Sequence, residues 1–445
     1  MSILMPITVP ENIKPANTET QRHGENLKKK SSKHRWIHSF LPKLSQKCFL
    51  HFSVALFLCV SSPFPAFCSD DPLIDADRAS TIEFLLERAI THKLISGGIV
   101  LVGNRKGTLY TATRGNIGVE QTSPPITVDT LFDIASLTKV FATAPAIMKL
   151  LEEGKLSLMD PITRWFPELN DSGREETTIL NLLTHTSGLH DVSMQSPSPM
   201  ANLLLKATRF GDSPTYGNRF LYADINFILL AELVQRAAGI PFDQFCREQL
   251  YFPLEMNKTG FLPQKEFHGT IAPTVSRGNV LNSGVVQDEN ARLLGGIAGH
   301  AGLFSSASDL SRFAMMILNS GATGGGNHVF SERVMSQMTA PYFYNNGKII
   351  RGLGWDIHSP YSSPRGNSFS DMSFGHTGYS GSSVWIDPEQ DIFVILLTIR
   401  LDYHDKRKFN RFRSDISTLA TTLFAHPALT SKLLETAVSS DLLKP

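Results

Sequence analysis

Apolar positions recur every three to four residues in the stretch TLFDIASLTKVFATAPAIMKLLEEGK (residues 130–155). Val140, Ala144, Ile147 and Leu151 would line one buried face of a helix, and Glu152, Glu153 and Gly154 supply a polar exit and a stop. Pro145 lacks a backbone donor and predicts a kink in that helix. The same period predicts helices over residues 75–93 and 411–424. Two other segments read as paired strands. GGIVLVGNRKGTLYTATRGN turns near residues 104–107, and GSSVWIDPEQDIFVILLTIR (381–400) turns at 387–390. Between them the chain reads as mostly helical, with Pro/Gly-rich loops at 194–218 and 321–327. Strands near both ends with helices between predict an α+β fold: an antiparallel sheet completed by both termini, flanked by helices, with a mostly helical insertion. A cleft is expected where sheet meets insertion.

Composition narrows the class. The 445 residues are 42% hydrophobic with a formal net charge of +1, enough for a large core and without the basic footprint of a nucleic-acid binder. Charge is uneven only at the front, where a basic stretch from Lys28 to Lys47 precedes the apolar run CFLHFSVALFLCVSSPFPAF (48–67). Residues 1–69 therefore read as a basic extension followed by a signal peptide or an uncleaved membrane anchor, since the run is about the ~20 residues that span a bilayer. Either reading exports the remainder to the periplasm or another extracytoplasmic space, with membrane attachment through that apolar segment in the second case. Residues 70–430 are expected to form the functional domain and 431–445 a tail. Cys48, Cys59 and Cys68 lie at the front, so Cys246 stands alone in the body as a buried thiol and no disulfide framework is expected.

Candidate chemistry begins at Ser136 and Lys139. Three residues apart on a helix, they share a face, so hydroxyl and amine can meet. At the first turn Ser136 would have free backbone donors beside it, which favour developing negative charge. Lys139 lies among Ile134, Val140 and Phe141, where burial would lower its pKa and free a lone pair. Two further segments carry polar groups at the edge of apolar elements. RFLYADINFILLAELVQ (219–235) places Tyr222-Ala223-Asp224 ahead of a helix, and SFGHTGYSGSSVWIDP (373–388) places His376-Thr377-Gly378 ahead of a strand.

Ser-x-x-Lys, Tyr-x-Asn and Lys-Thr-Gly, in that order, mark the penicillin-recognising serine hydrolases. Over residues 74–425 the chain resembles that superfamily, most closely the branch of class C β-lactamases, D-Ala-D-Ala carboxypeptidases and related esterases. LLTHTSGL (182–189), DENARLLGGIAGHAGLFSSASDLSRF (288–313) and RGLGWDI (351–357) support the resemblance. AGHAGLFS and FGHTG are most similar to the sub-branch with exo-acting N-acetylmuramyl-L-alanine amidases. The resemblance implies a β-lactamase/transpeptidase-like fold, with Ser136 as the acylated nucleophile and Lys139 and Tyr222 sharing its proton. It implies an oxyanion hole from the backbone N–H groups of Ser136 and Tyr379, the latter on the strand after His-Thr-Gly. Asp224, His376, Thr377 and Gly378 would contact substrate. Two positions depart from the pattern. Asp224 stands for the asparagine, and its carboxylate would raise the pKa of both Lys139 and Tyr222. His376 stands for the lysine that helps hold a substrate carboxylate, which argues for a substrate lacking that carboxylate or one gripped elsewhere, by Arg292 for example.

Among the other histidines, His185, His190 and Asp191 in HTSGLHD lack the spacing of a compact zinc site, so no metal or cofactor is expected. His185 reads as a loop brace. His300, between Gly299 and Gly302, is a candidate on the substrate side because the backbone there can approach a ligand closely. The expectation is an exported serine hydrolase cleaving an amide or ester through an acyl-enzyme on Ser136, with a small-molecule or peptidoglycan-fragment substrate, as a muropeptide amidase or carboxypeptidase-like enzyme. The alternatives are a small-ester hydrolase of the same family, a non-catalytic sensor of peptidoglycan or β-lactams, and a lipid-anchored structural protein of the envelope.

Overall fold

The run DIFVILLTIR is apolar at consecutive positions because the strand it forms is covered on both faces. In the computed structural model, which describes residues 72–425 except 119–122, 210–216, 264–269, 277–278 and 281–282, a five-stranded antiparallel sheet organises the chain. Its strands are β1 (Ile95–Asn104), β2 (Gly107–Gly115), β3 (Phe374–Thr377), β4 (Ser383–Asp387) and β5 (Ile392–Arg400), in the spatial order β3-β4-β5-β1-β2. Strands from both ends of the chain meet at the β1–β5 pairing, where Ile99 faces Leu397 and Val100 faces Leu396.

Alternation sorts the side chains into two cores. Val100, Val102, Trp385, Val394 and Leu396 pack on one face against α1 (Pro72–Thr91) and the closing helix α5 (Lys406–Ala425). Ile99, Leu101, Ile395 and Leu397 face the helical insertion, whose main helices are α2 (Ala144–Glu152), α3 (Asp224–Ala238) and α4 (Ala307–Leu318). Each such side chain contributes about 1.5–3 kcal/mol on burial. Trp355 and Trp385 are both core residues, and Cys246 is fully buried, its thiol pushed well up by burial.

Three local features differ from expectation. The 130–155 helix is broken at its start: Ser136 lies in a 3₁₀ turn (Ala135–Leu137), Lys139 opens a π-helical turn (Lys139–Thr143), and α2 begins only at Ala144. Pro145 therefore sits in the first turn of α2, where a missing N–H costs nothing, and the widened turn ahead of it replaces the expected kink. A helix, Pro199–Arg209, occupies the expected loop 194–218 and buries Leu203, Leu204 and Ala207. His376 and Thr377 lie on β3 itself, while Gly378 and Tyr379 form the turn after it.

The apolar run 48–67, the extension before it and residues 426–445 lie outside the described residues. Among the described residues no single helix is long and apolar enough to cross a membrane. One bent pair, Asp224–Ala238 with Phe242–Tyr251, passes on length and composition, but its apolar residues belong to the insertion core.

Candidate active site

The segment before Ser136 leaves the small strand Phe132–Asp133 and turns sharply, with Ala135 at φ +48° in the left-handed region. Asp133 holds that turn. One carboxylate oxygen accepts from Ala135 N at 2.8 Å and the other from Gln287 N at 2.7 Å, and its carbonyl accepts from the Ser380 hydroxyl at 2.7 Å. Ser380 belongs to the turn after β3, so Asp133 ties the Ser136 and Tyr379 backbones together. Gly378 makes that approach possible, since a Cβ there would lie 2.4 Å from Ile134 O. Arg413 on α5 donates to the Gly378 and Ser382 carbonyls from behind. With Asp133 fully buried, desolvation pushes its carboxyl up to about 6.

Lys139 is fully buried and makes three contacts: Ser136 Oγ at 3.1 Å, Asp224 Oδ1 at 2.7 Å and the His300 carbonyl at 3.0 Å. Its ammonium also lies 5.2 Å from the Tyr222 ring centroid. Burial pulls its pKa down, but Asp224 and then Tyr222 push harder, so it is raised. The expectation that burial would lower it is overturned, and the reason is the carboxylate at 2.7 Å. Tyr222 is also raised: burial is the main cause, Lys139 opposes it and Asp224 adds to it. Behind the phenol, His185 stacks at 4.4 Å and braces the loop, its Nδ1 accepting from Ala223 N at 3.2 Å.

Ser136, Tyr222, Asp224, Asp288, Tyr379 and Tyr403 line one cleft of about 1100 Å³. The other candidates sit elsewhere. His300 has a buried side chain, its Nε2 on Asp288 at 2.8 Å, so it faces a carboxylate rather than a substrate. Gly299 is needed for close packing, since a Cβ there would meet Phe227 O at 2.0 Å. The His300 loop thus seats Lys139 instead of approaching a ligand. Arg292 is turned away from the cleft, donating to the Val286 and Gln287 carbonyls at 2.7 and 2.6 Å, and does not serve as the carboxylate grip. His376 is buried, and both ring nitrogens are engaged: Nδ1 donates to Thr377 O at 2.9 Å and Nε2 accepts from Arg351 Nη2 at 3.0 Å. Burial and then Arg351 hold its pKa well below the usual histidine range, so it is neutral. In this position it offers no charge or free nitrogen to a substrate. Thr377 is partly buried on β3, and Gly378 acts through its lack of a side chain.

Among the described residues, Asp224, Asp288 and His300 could together hold a cation, their ligand atoms lying within 4.8 Å of one another. Asp224 also bonds the Lys139 ammonium and Asp288 the His300 ring. Asp133 and Arg351 are the site residues that sequence reasoning missed. Asp133 is the one charge inside TLFDIAS, and Arg351 is the second of two cations in the strand KIIRG, set behind two isoleucines.

The sequence pattern of the β-lactamase family matches residues 86–416, well over half of the chain. The chain belongs to the β-lactamase family. An Escherichia coli (strain K12) protein described as "Putative D-alanyl-D-alanine carboxypeptidase" is 30% identical over 314 residues, covering 61% of this chain and 69% of that one. The crystal structure of a β-lactamase/D-alanine carboxypeptidase from Pseudomonas syringae superposes with a TM-score of 0.64 at 19% identity, over 79% of this chain and 99% of that one. EstCE1, a hydrolase with promiscuous acyltransferase activity, superposes at 0.62 with 20% identity, over 78% and 99%. These two structures share the fold. This β-lactamase-family chain is a hydrolase of the superfamily that includes the D-Ala-D-Ala carboxypeptidases.

Proposed function

We propose that the chain is an exported serine hydrolase that cleaves an amide or ester through an acyl-enzyme on Ser136. The observation that carries this reading is the buried Lys139 ammonium bonded to both Ser136 Oγ (3.1 Å) and Asp224 (2.7 Å), two residues that line the cleft. Ser136 Oγ attacks the substrate carbonyl as its proton passes into the Lys139–Tyr222 pair. The oxyanion is received by the backbone N–H groups of Ser136 and Tyr379. Collapse breaks the scissile bond, and the same pair returns the proton to the leaving group. Water then releases the acyl group by the same steps in reverse.

Substrates are peptidoglycan fragments, cleaved as by a muropeptide amidase or a carboxypeptidase-like enzyme. Export rests on the basic and then apolar stretch 28–67, which also supplies any membrane attachment. Two observations favour a substrate without a carboxylate beside the scissile bond. His376 is neutral with both nitrogens engaged, and among the described residues lining the cleft there is no lysine or arginine. They favour an amidase or small-ester hydrolase over a carboxypeptidase or a β-lactamase proper, and slow hydrolysis of penicillins is expected.

The test is the intact mass of the full chain after exposure to a fluorophosphonate, beside Ser136→Ala. A single adduct absent from the variant supports the reading. No adduct on folded protein would favour a non-catalytic sensor instead.

A further inference from the structure

Tyr222 must lose its proton before it can take one from Ser136, and its surroundings make that loss costly: burial and Asp224 both raise its pKa. Several charged and titratable side chains surround it. Lys139 lies 5.2 Å and Arg351 5.7 Å from its ring centroid, and Asp224, bonded to Lys139, acts on it through its charge. His185 stacks at 4.4 Å, Tyr361 lies at 5.4 Å and His376 at 6.0 Å. Both histidines are held neutral, chiefly by burial. Lys139 and Asp224 lie 2.7 Å apart and act on the phenol in opposite senses, Lys139 lowering its pKa and Asp224 raising it. Arg351 is the second cation against the ring.

The fold delivers Arg351 to this place. It lies on the strand Lys348–Gly352, whose continuation bonds to the edge of β3: Asp356 N donates to Gly375 O at 2.8 Å and Gly375 N donates back at 2.9 Å. That pairing sets Arg351 beside His376, the next residue of β3. The guanidinium lies 5.6 Å from the Phe220 and 5.7 Å from the Tyr222 ring centroid, and the residue is 1% exposed. Its carboxylate partner, Asp356, is 3.6 Å away, too far for a strong hydrogen bond. Its Nε is buried without a partner. A buried arginine keeps its charge, and one weakly offset is available to a neighbouring anion.

We infer that Arg351 is a positioning residue acting through Tyr222: anchored by the Nε2 of a neutral His376, its guanidinium stabilises the tyrosinate that accepts the Ser136 proton. This rests on the acyl-enzyme reading above. The phenol proton goes to solvent as the free enzyme ionises. The phenolate then takes the proton from Ser136 Oγ while the Oγ–carbon bond forms, and gives it up when the leaving group departs. Arg351 exchanges no proton. It lowers the pH at which the phenolate is populated.

The test is the second-order rate of fluorophosphonate labelling of Ser136 across the pH range, on the full chain. Arg351→Met should move the alkaline limb upward by about 1–2 pH units, the size expected for losing one nearby opposite charge. Arg351→Lys, which keeps the charge, should recover most of that shift, and Tyr222→Phe should abolish the limb. Should Arg351→Met fail to fold by circular dichroism, Arg351→Gln carries the same expectation, since it keeps a donor for His376 without the charge. A lower rate with an unmoved limb would overturn the inference and reduce Arg351 to packing. If Ser136→Ala labels like the wild type, the acyl-enzyme reading fails instead, so the two failures are distinct.

Discussion

Two buried cations lie against Tyr222, and they are compensated differently. Lys139 has a carboxylate at 2.7 Å, and its pKa is raised despite complete burial. Arg351 has a neutral imidazole at 3.0 Å and a carboxylate only at 3.6 Å. Asp356 is itself pushed up, by burial against the pull of Arg351. A lysine paired this tightly holds its proton at neutral pH and is a poor base in the resting enzyme. An arginine paired this loosely cannot act as a base at all, yet its field reaches the phenol. The difference suggests a division of labour in which Lys139 orients Ser136 and Arg351 tunes Tyr222.

The largest effect should come from removing the compensated cation. Lys139→Ala deletes the donor to Ser136 Oγ and leaves Asp224 facing the nucleophile, so labelling should fall by about 10²-fold or more, as for a nucleophile left misplaced. A fall of less than about tenfold would mean that Lys139 does not orient Ser136.

Much of this arrangement is legible in the sequence, and the limits are physical. Ser136, Lys139, Tyr222 and Asp224 stand out because the polar groups occupy fixed short spacings at the edges of apolar helices. The sheet is legible because strands covered on both faces read as unbroken apolar runs. The direction of the Lys139 shift is not. Burial and Asp224 argue in opposite senses, and only the 2.7 Å contact across 85 residues decides between them. His376 looks like a substrate contact because its motif does, but its ring is taken by Arg351, a partner 25 residues away on another strand. The helix Pro199–Arg209 is hidden because prolines and glycines on both sides of it read as loop. Asp133 has no motif of its own. Its role appears only when Gln287, 154 residues on, donates to it.

Asp133 sharpens the comparison as a buried charge held mainly by N–H groups rather than by a close cation. Its folded pKa of about 6 lies above the ordinary 3.8, so the native state holds that proton more tightly than the unfolded chain. The resulting stability is fully present below pH ~3.8 and is lost as pH rises through about 6, by roughly 3 kcal/mol for a shift of about two units. Asp133→Asn should flatten the wild-type loss of denaturant stability between pH 4 and 7, whatever constant offset the amide introduces. Equal slopes in both proteins would contradict this account. Asp288 acts in the opposite sense and a different window. Held down at about 2, chiefly by His300 once burial is overcome, it stabilises above pH ~3.8 and loses that contribution only as pH falls towards 2.

Asp224→Asn tests the compensation directly. Removing the carboxylate takes away the main group raising Lys139 and one of those raising Tyr222. The alkaline limb of the labelling profile should then shift downward by about 1–2 pH units, opposite in sign to Arg351→Met. A limb that stays put would mean that neither Lys139 nor Tyr222 governs it.

The smallest effect is expected at Asp356, where the asymmetry between the two pairs is most exposed. Its carboxylate is a longer 3.6 Å from Arg351, accepts from Ser359 N at 3.1 Å, and lies on the side of the guanidinium engaged by Nη1 rather than by the Nη2 that meets His376. An asparagine can keep the bond to Ser359 while losing the charge. Asp356→Asn should therefore lower the limb by less than about half a pH unit, in the same direction as Asp224→Asn but well below it, as expected for a weakly coupled charge. A shift as large as that of Asp224→Asn would mean that Arg351 is as fully compensated as Lys139, and the proposed division of labour between the two cations would collapse.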